Sequence, residues 1–151
     1  MRMNKKRYLK SELGHQLLII DTIGTSDYSS LRAKELYDID VYVLCYNSKS
    51  KMSVDSILSA WFPRAELYCK RDMRGKIDAR FLLVGLQSED PRDNLTSAEQ
   101  IQSILERCQA TTALTCSALT GEGIREVFLA AIAAIYQSRP KRITANYCGL
   151  L

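Results

Sequence analysis

Two short loops hold residues whose types and positions could bind a ligand. The first runs from Asp21 to Gly24 and the second from Cys116 to Thr120, and each follows an apolar segment. In a layered α/β domain, ligands bind beyond the carboxyl ends of the strands, so both loops are candidate ligand contacts. A lone D-x-x-G is common and is more often a turn than a site. The prediction therefore rests on the two loops together.

A third feature is the cysteine near the last printed residue. The four residues that start at Cys148 fit the C-a-a-X pattern, and the final leucine favours a geranylgeranyl group on Cys148 over a farnesyl group. Arg139, Lys141 and Arg142 stand just before it and would supply the electrostatic attraction that a single lipid needs. The pattern predicts attachment to the inner membrane surface. The alternative is a short tail with an incidental cysteine.

Composition indicates a single cytoplasmic domain. A chain of 151 residues with 46% hydrophobic and 25% charged residues is typical of one globular domain. Five scattered cysteines and one histidine, without a C-x-x-C, argue against a zinc site, a redox pair or a disulfide framework. No apolar stretch reaches the length of a signal peptide or a membrane span. We therefore expect a cytoplasmic protein at the cytoplasmic face of a membrane such as the plasma membrane.

The net charge of +4 does not point to nucleic acid. Many of the basic residues lie near the two ends of the chain, and local positive ends fit an anionic membrane surface at least as well. We predict no nucleic-acid partner.

Alternating strands and helices must position the two loops. Short apolar segments predict strands at 16–21, 40–46 and 79–85, with a weaker one at 113–117. Their apolar residues are continuous, which is typical of parallel strands covered on both faces. Helical spacing predicts helices at 54–68, 96–108 and 124–135, the second opened by a capping box from Thr96 to Glu99. This alternation predicts an α/β domain with right-handed crossovers.

Five segments match one known pattern in the same order. They are D-T-I-G-T-S-D-Y-S-S-L-R at 21–32, D-V-Y-V-L-C-Y at 40–46, W-F-P at 61–63, L-L-V-G at 82–85 and C-S-A-L-T at 116–120. From about His15 to Ser138, the chain thereby resembles the Rho branch of the Ras superfamily of small GTPases. The resemblance implies a three-layer, P-loop-GTPase-like fold, a role as a GTP-binding switch in signal transduction, and protein effectors or regulators as partners.

The resemblance also implies the roles of individual residues. Asp21 would reach Mg²⁺ through a water molecule, and the Gly24 amide would contact the γ-phosphate. The backbone amides of Ser117, Ala118 and Leu119 would contact the guanine oxygen. GTP or GDP and Mg²⁺ are the implied cofactors.

Several positions depart from the family pattern. The guanine-reading T-K-x-D becomes the segment 86–89, which places Gln87 at the stacking lysine and Glu89 at the acid. Thr25 replaces the glutamine that orients the attacking water. No G-x-x-x-x-G-K-[ST] phosphate cradle occurs among the 20 residues before Asp21. We therefore predict no catalytic residue, and GTP binding and hydrolysis that are absent or strongly impaired.

The same comparison predicts a domain at 1–138 without the family's first strand, P-loop and first helix, followed by a basic tail at 139–151. Two strand edges would then be unpaired, so the strands close up, a partner supplies a strand, or the chain is a fragment. Two functions remain open: a Rho-type switch represented by an incomplete or alternatively spliced chain, and a membrane-anchored pseudo-GTPase that serves as a protein-interaction module.

Overall fold

A mostly parallel sheet organises the chain. The computed structural model describes residues 5–10, 14, 16–22, 39–69, 79–87, 96–138 and 148–150. Within them the strands are β1 (Lys5–Lys10), β2 (Gln16–Asp21), β3 (Val41–Asn47), β4 (Arg80–Leu86), β5 (Thr112–Cys116) and β6 (Cys148–Leu150). They form one sheet in the order β1-β2-β6-β3-β4-β5, in which only the β1–β2 pair is antiparallel. The strands predicted from the sequence correspond to β2, β3, β4 and β5, which confirms the α/β class.

The helices also follow the predicted pattern, with one irregularity. They are α1 (Lys51–Ser56), a π-helical turn (Ile57–Trp61), α2 (Phe62–Tyr68), α3 (Ala98–Cys108) and α4 (Ile124–Ser138). In the π-helical turn, the Phe62 N–H bonds to the carbonyl of Ile57, five residues back. Pro63 follows directly and has no N–H to donate, so the regular hydrogen-bond pattern cannot continue there.

Helices pack on both faces of the sheet. Successive residues of a strand point to opposite faces, so a central strand contributes side chains to a buried cluster on each face. Tyr42 and Leu44 of β3 pack in one buried cluster with residues of α1, the π-helical turn, α2 and α3. Val41 and Val43 belong to a second cluster with α4. The predicted three-layer arrangement is confirmed.

The capping box of α3 lies one residue later than predicted. Ser97, not Thr96, is the N-cap: its hydroxyl accepts from the Gln100 N–H at 3.3 Å, and the Gln100 side chain accepts from the Ser97 N–H at 3.0 Å. Thr96 instead donates its hydroxyl to the Ser48 carbonyl at 3.5 Å. Glutamine serves as well as glutamate in a capping box, so the sequence offered two frames and the structure uses the second.

Two strands were not predicted. Four of the six residues of β1 are Lys or Arg, so the segment lacks the apolar run that indicates a strand. β1 lies at the edge of the sheet, where charged side chains discourage pairing with strands of other chains. β6 lies between β2 and β3 and pairs in parallel with both. The expected gap is thus filled by the chain's own residues, which none of the three alternatives included. α4 ends at Ser138, where we placed the end of the domain, although the division at that point stays a prediction.

Candidate functional site

The carboxyl ends of β3, β4 and β5 are fastened together by hydrogen bonds. Gln87 donates its N–H to the Cys116 carbonyl at 2.8 Å. On the other side, Ser48 donates both its N–H, at 3.3 Å, and its hydroxyl, at 3.0 Å, to the carbonyl of Leu86. Ser48 is only 4% exposed. It was missed in the sequence, where its one signal was a polar residue directly after an apolar strand.

Ser117 shapes the loop that follows β5. Its N–H donates to the Glu122 carbonyl at 2.9 Å, and its carbonyl accepts from the Gly121 N–H at 2.9 Å. Its hydroxyl accepts from the Thr120 N–H at 3.3 Å. Ser117 is buried, and all its polar groups act within the loop. Its amide is therefore committed to the fold and not directed at a ligand.

The amides of Ala118 and Leu119 are placed differently. Both residues are exposed, and 72% of the Leu119 side chain is accessible. Within the part of the chain that the structure describes, neither amide donates a hydrogen bond to another residue. These two N–H groups, at the tip of a loop held by Ser117, can donate to a carbonyl oxygen of a ligand.

Two glycines allow the loop to turn back into α4. Gly121 and Gly123 have positive φ angles of 80° and 72°. A Cβ atom at Gly123 would lie 2.1 Å from the carbonyl oxygen of Thr115, so α4 begins directly against β5. The sequence analysis did not single out these residues, although the G-x-G after the predicted loop was a signal for such a turn.

Asp21 lies apart from this loop. It is exposed at the end of β2 and level with Leu150, which is level with Val43 of β3. Val43 precedes the last residue of β3, Asn47, by four positions, or about 13 Å along the strand. A ligand that contacts both Asp21 and the loop after β5 must therefore be extended. Gly24 and Glu89, the remaining predicted contacts, lie outside the described residues.

Two further residues with a predicted role, Gln87 and Cys148, lie in the described part of the chain. Gln87 is exposed beside the loop after β5, so the structure brings together the two halves of the predicted base site. Cys148 opens β6, where its backbone pairs between Ile19 and Val41.

Three cysteine thiols have raised pKa values and are therefore unreactive at neutral pH. Burial raises the pKa of Cys45 to about 12, and the thiol of Cys116 and the carboxylate of Asp21 add to this shift. Burial also raises the pKa of Cys116, and that of Cys108 to about 11. These thiols stay protonated at neutral pH and are poor nucleophiles.

Two other features are absent from the described ranges: a metal-binding group and a membrane-spanning helix. Those residues contain no group of three or more His, Cys, Asp or Glu side chains that could hold a metal ion. Nor does any helix among them have the length and apolar character of a membrane span.

Comparison with known proteins decides the family. The model of the Ras family matches residues 3–137. The chain belongs to the Ras family. Human RhoB is 32% identical over 134 residues, which cover 82% of this chain and 66% of RhoB. RHO1 of Candida albicans is 30% identical over 148 residues, 90% of this chain and 71% of RHO1.

A further relative agrees on the branch. RHO4 of Saccharomyces cerevisiae is 32% identical over 121 residues, covering 78% of this chain and 39% of RHO4. This Ras-family member therefore stands in the Rho branch, as predicted. It spans about two thirds of the length of RhoB.

Proposed function

We propose that this Rho-type chain is a small-GTPase-like signalling protein whose 151 residues bind and hydrolyse GTP poorly or not at all. The proposal depends mainly on which residues lie between β2 and β3. By the resemblance, that space belongs to the strand that leads into the phosphate cradle. Here it holds Cys148–Leu150, and the 151 residues contain no G-x-x-x-x-G-K-[ST] motif. The contacts that hold the β- and γ-phosphates are therefore missing from these residues.

The base end of the site supports the same conclusion. Gln87 takes the place of a lysine whose charge and long stem would lie against the base. A charge-assisted contact left unmade costs roughly 1.5–3 kcal/mol, or about one to two orders of magnitude in affinity. The amides of Ala118 and Leu119 can still read a carbonyl oxygen, but two such bonds do not replace the phosphate contacts.

Magnesium binding depends on the same missing parts. Mg²⁺ is usually held by one or two carboxylates together with substrate phosphates. Asp21 would supply one carboxylate, so without bound phosphates it makes a weak site. GTP or GDP and Mg²⁺ thus stay the cofactors of the family, and we propose that this chain holds them weakly. The contacts assigned to Gly24 and Glu89 remain predictions.

The alternative function is a pseudo-GTPase that acts through protein contacts at a membrane. Its partners would be effectors or regulators of Rho-type proteins, and its anchor would be the geranylgeranyl group predicted on Cys148 of a chain that ends at Leu151. The sequence upstream of Met1 in the transcript separates the two. An in-frame G-x-x-x-x-G-K-[ST] favours the incomplete switch, and its absence favours the interaction module.

The direct test is equilibrium binding of fluorescent GTP and GDP to the 151-residue chain with Mg²⁺ present. We expect no saturable binding at micromolar nucleotide, and saturable binding in that range would sink the proposal. Hydrogen exchange on the same preparation must show protected β4 and β5, so that an unfolded sample is not mistaken for a folded non-binder. The Gln87→Lys variant is the matched second sample. If it alone gained micromolar affinity, the defect would lie at the base loop and not at the phosphate cradle.

A further inference from the structure

β2 and β3 are joined by a strand of only three residues. In β6, Cys148 is level with Ile19 of β2 and with Val41 of β3, and Leu150 is level with Asp21 and Val43. Among the described residues, β2 and β3 do not pair directly with each other. The β1–β2 hairpin is therefore attached to the remaining strands through β6, apart from the side chains that β2 adds to the core.

β6 fills the whole stretch over which β2 and β3 face each other. β2 has six residues and β3 has seven, but only three of each lie beside β6. In the described part of the chain, residues 16–18 of β2 lie beyond the first residue of β6 and residues 44–47 of β3 lie beyond its last residue, so the two strands overlap at only three levels. The net gain from one backbone hydrogen bond is similar to the cost of ordering one residue, so a three-residue strand is held weakly.

The walls of this space select an extended apolar strand. On β2, Ile19 is 8% and Ile20 is 2% exposed, and on β3 the residues from Val41 to Leu44 are at most 1% exposed. On β3, Tyr42 and Leu44 belong to the buried cluster on one face of the sheet, and Val41 and Val43 belong to the cluster on the other face. Parallel central strands in such positions are apolar on both sides.

The path of the chain fits pairing within one molecule. α4 starts against β5 at the carboxyl edge of the sheet and has 15 residues, so it ends about 22 Å away, toward the amino edge. β6 begins level with Val41, the first residue of β3, at that same edge. The nine residues at 139–147 can span up to about 30 Å, which is enough to connect the two points.

We propose that Cys148–Leu150 is a removable closing strand. When it is docked, it completes the sheet and ties the β1–β2 hairpin to β3. When it leaves, the hairpin loosens, a slot for a parallel apolar strand opens between β2 and β3, and the segment around Cys148 becomes available outside the sheet. Closure of the sheet and release of this segment exclude each other, independently of nucleotide binding.

Hydrogen exchange with mass spectrometry on the full chain tests this proposal. Gly149→Pro removes a donor from the middle of β6 and disfavours a central strand, whereas Thr144→Pro places the same residue in the connecting segment. We expect Gly149→Pro to reduce protection of the β1 and β2 amides by about tenfold or more and to leave β4 and β5 protected, since an isolated hairpin is marginal. Thr144→Pro should leave all four strands within about threefold of the original chain.

A peptide of residues 143–150 supplies the second measurement. Added to the Gly149→Pro chain, it should restore protection of β1 and β2, while the same peptide carrying Gly149→Pro should not. Unchanged protection in the Gly149→Pro chain, or equal loss in all strands, would overturn a removable strand. Protection of β1 and β2 that rises with protein concentration in the original chain would assign the strand to a second copy and overturn closure within one molecule.

Discussion

Gln87 and Cys116 are joined by a backbone hydrogen bond of 2.8 Å, which fixes the end of β4 to the end of β5 just before the loop at Ser117. The bond uses the N–H of Gln87, so it does not depend on the side chain at that position. The exposed side chain is free to differ from the family's lysine without disturbing the loop. The position of the loop after β5 therefore does not depend on which side chain stands at position 87.

The loop after β5 should tolerate substitution very unequally at its two glycines. Gly123→Ala would place a Cβ 2.1 Å from the Thr115 carbonyl oxygen at a φ of 72°, and a backbone atom cannot move aside cheaply. Gly121→Ala has a φ of 80° but open space around the new Cβ, so it carries only the backbone strain. We expect a loss of unfolding free energy of about 1 kcal/mol for Gly121→Ala and at least about 3 kcal/mol for Gly123→Ala.

Urea unfolding of the two alanine variants beside the original chain measures this difference. Nearly equal losses would mean that α4 can shift away from β5 at little cost. That result would contradict the close packing of Gly123 on Thr115.

Most of the fold could be predicted because its signals are local. The strands at β2, β3, β4 and β5 are short apolar runs, and the helices repeat apolar residues at helical spacing; both patterns survive in a single sequence. β6 could not be found this way. Its three residues have no period, and their partners, Ile19 and Val41, lie more than 100 positions earlier in the chain. Only the resemblance to small GTPases, which places a strand between β2 and β3, indicated that some strand was needed there.

The sequence could not predict that the three amides of the loop after β5 are used differently. The sequence marked Ser117, Ala118 and Leu119 as equivalent amide donors. The structure uses the amide of Ser117 inside the loop and leaves the other two exposed. That distinction depends on Glu122, whose carbonyl accepts the bond, and on the turn at Gly121, neither of which was part of the recognised motif.

Stability should fall at high pH through the thiol of Cys45. The pKa of this thiol is raised from 9.0 to about 12 by burial, so the folded chain keeps a proton that the unfolded chain loses above about pH 9. The contribution is fully present below pH 9 and is lost between pH 9 and pH 12, because the unfolded state binds fewer protons there. We expect the unfolding free energy of Cys45→Ala to fall less steeply over this range than that of the original chain.

Urea unfolding at several pH values from neutral to alkaline measures the slopes. Cys108→Ala is the comparison variant, because the pKa of Cys108 rises only to about 11 and its contribution should end there. If the Cys45→Ala curve ran parallel to that of the original chain above pH 9, Cys45 would not be the group responsible.

For a chain that ends at Leu151, we expect a geranylgeranyl group on Cys148 to attach the protein to a membrane. If β6 is the removable strand proposed above, a prenyl-transferring enzyme binds the segment that starts at Cys148 only when this segment has left β2 and β3. Cys148→Ser should move the protein from the membrane to the soluble fraction of a eukaryotic cell. Neutralising Arg139, Lys141 and Arg142 together should weaken attachment less, since each basic residue near an anionic leaflet adds on the order of 1 kcal/mol.

Gly149→Pro adds a control for the coupling between lipid and fold. This variant keeps Cys148 but disfavours β6, so the fraction of chains modified at Cys148 should rise if undocking of β6 limits modification. A short peptide with proline at the same position must first be shown to be a substrate of the enzyme. Mass spectrometry of the C-terminal peptide measures that fraction directly. The lipid anchor would be refuted if Cys148 were unmodified and still followed by its three terminal residues in a cell that prenylates other proteins. If the Cys148→Ser protein stayed on membranes, the attachment would lie elsewhere in the chain.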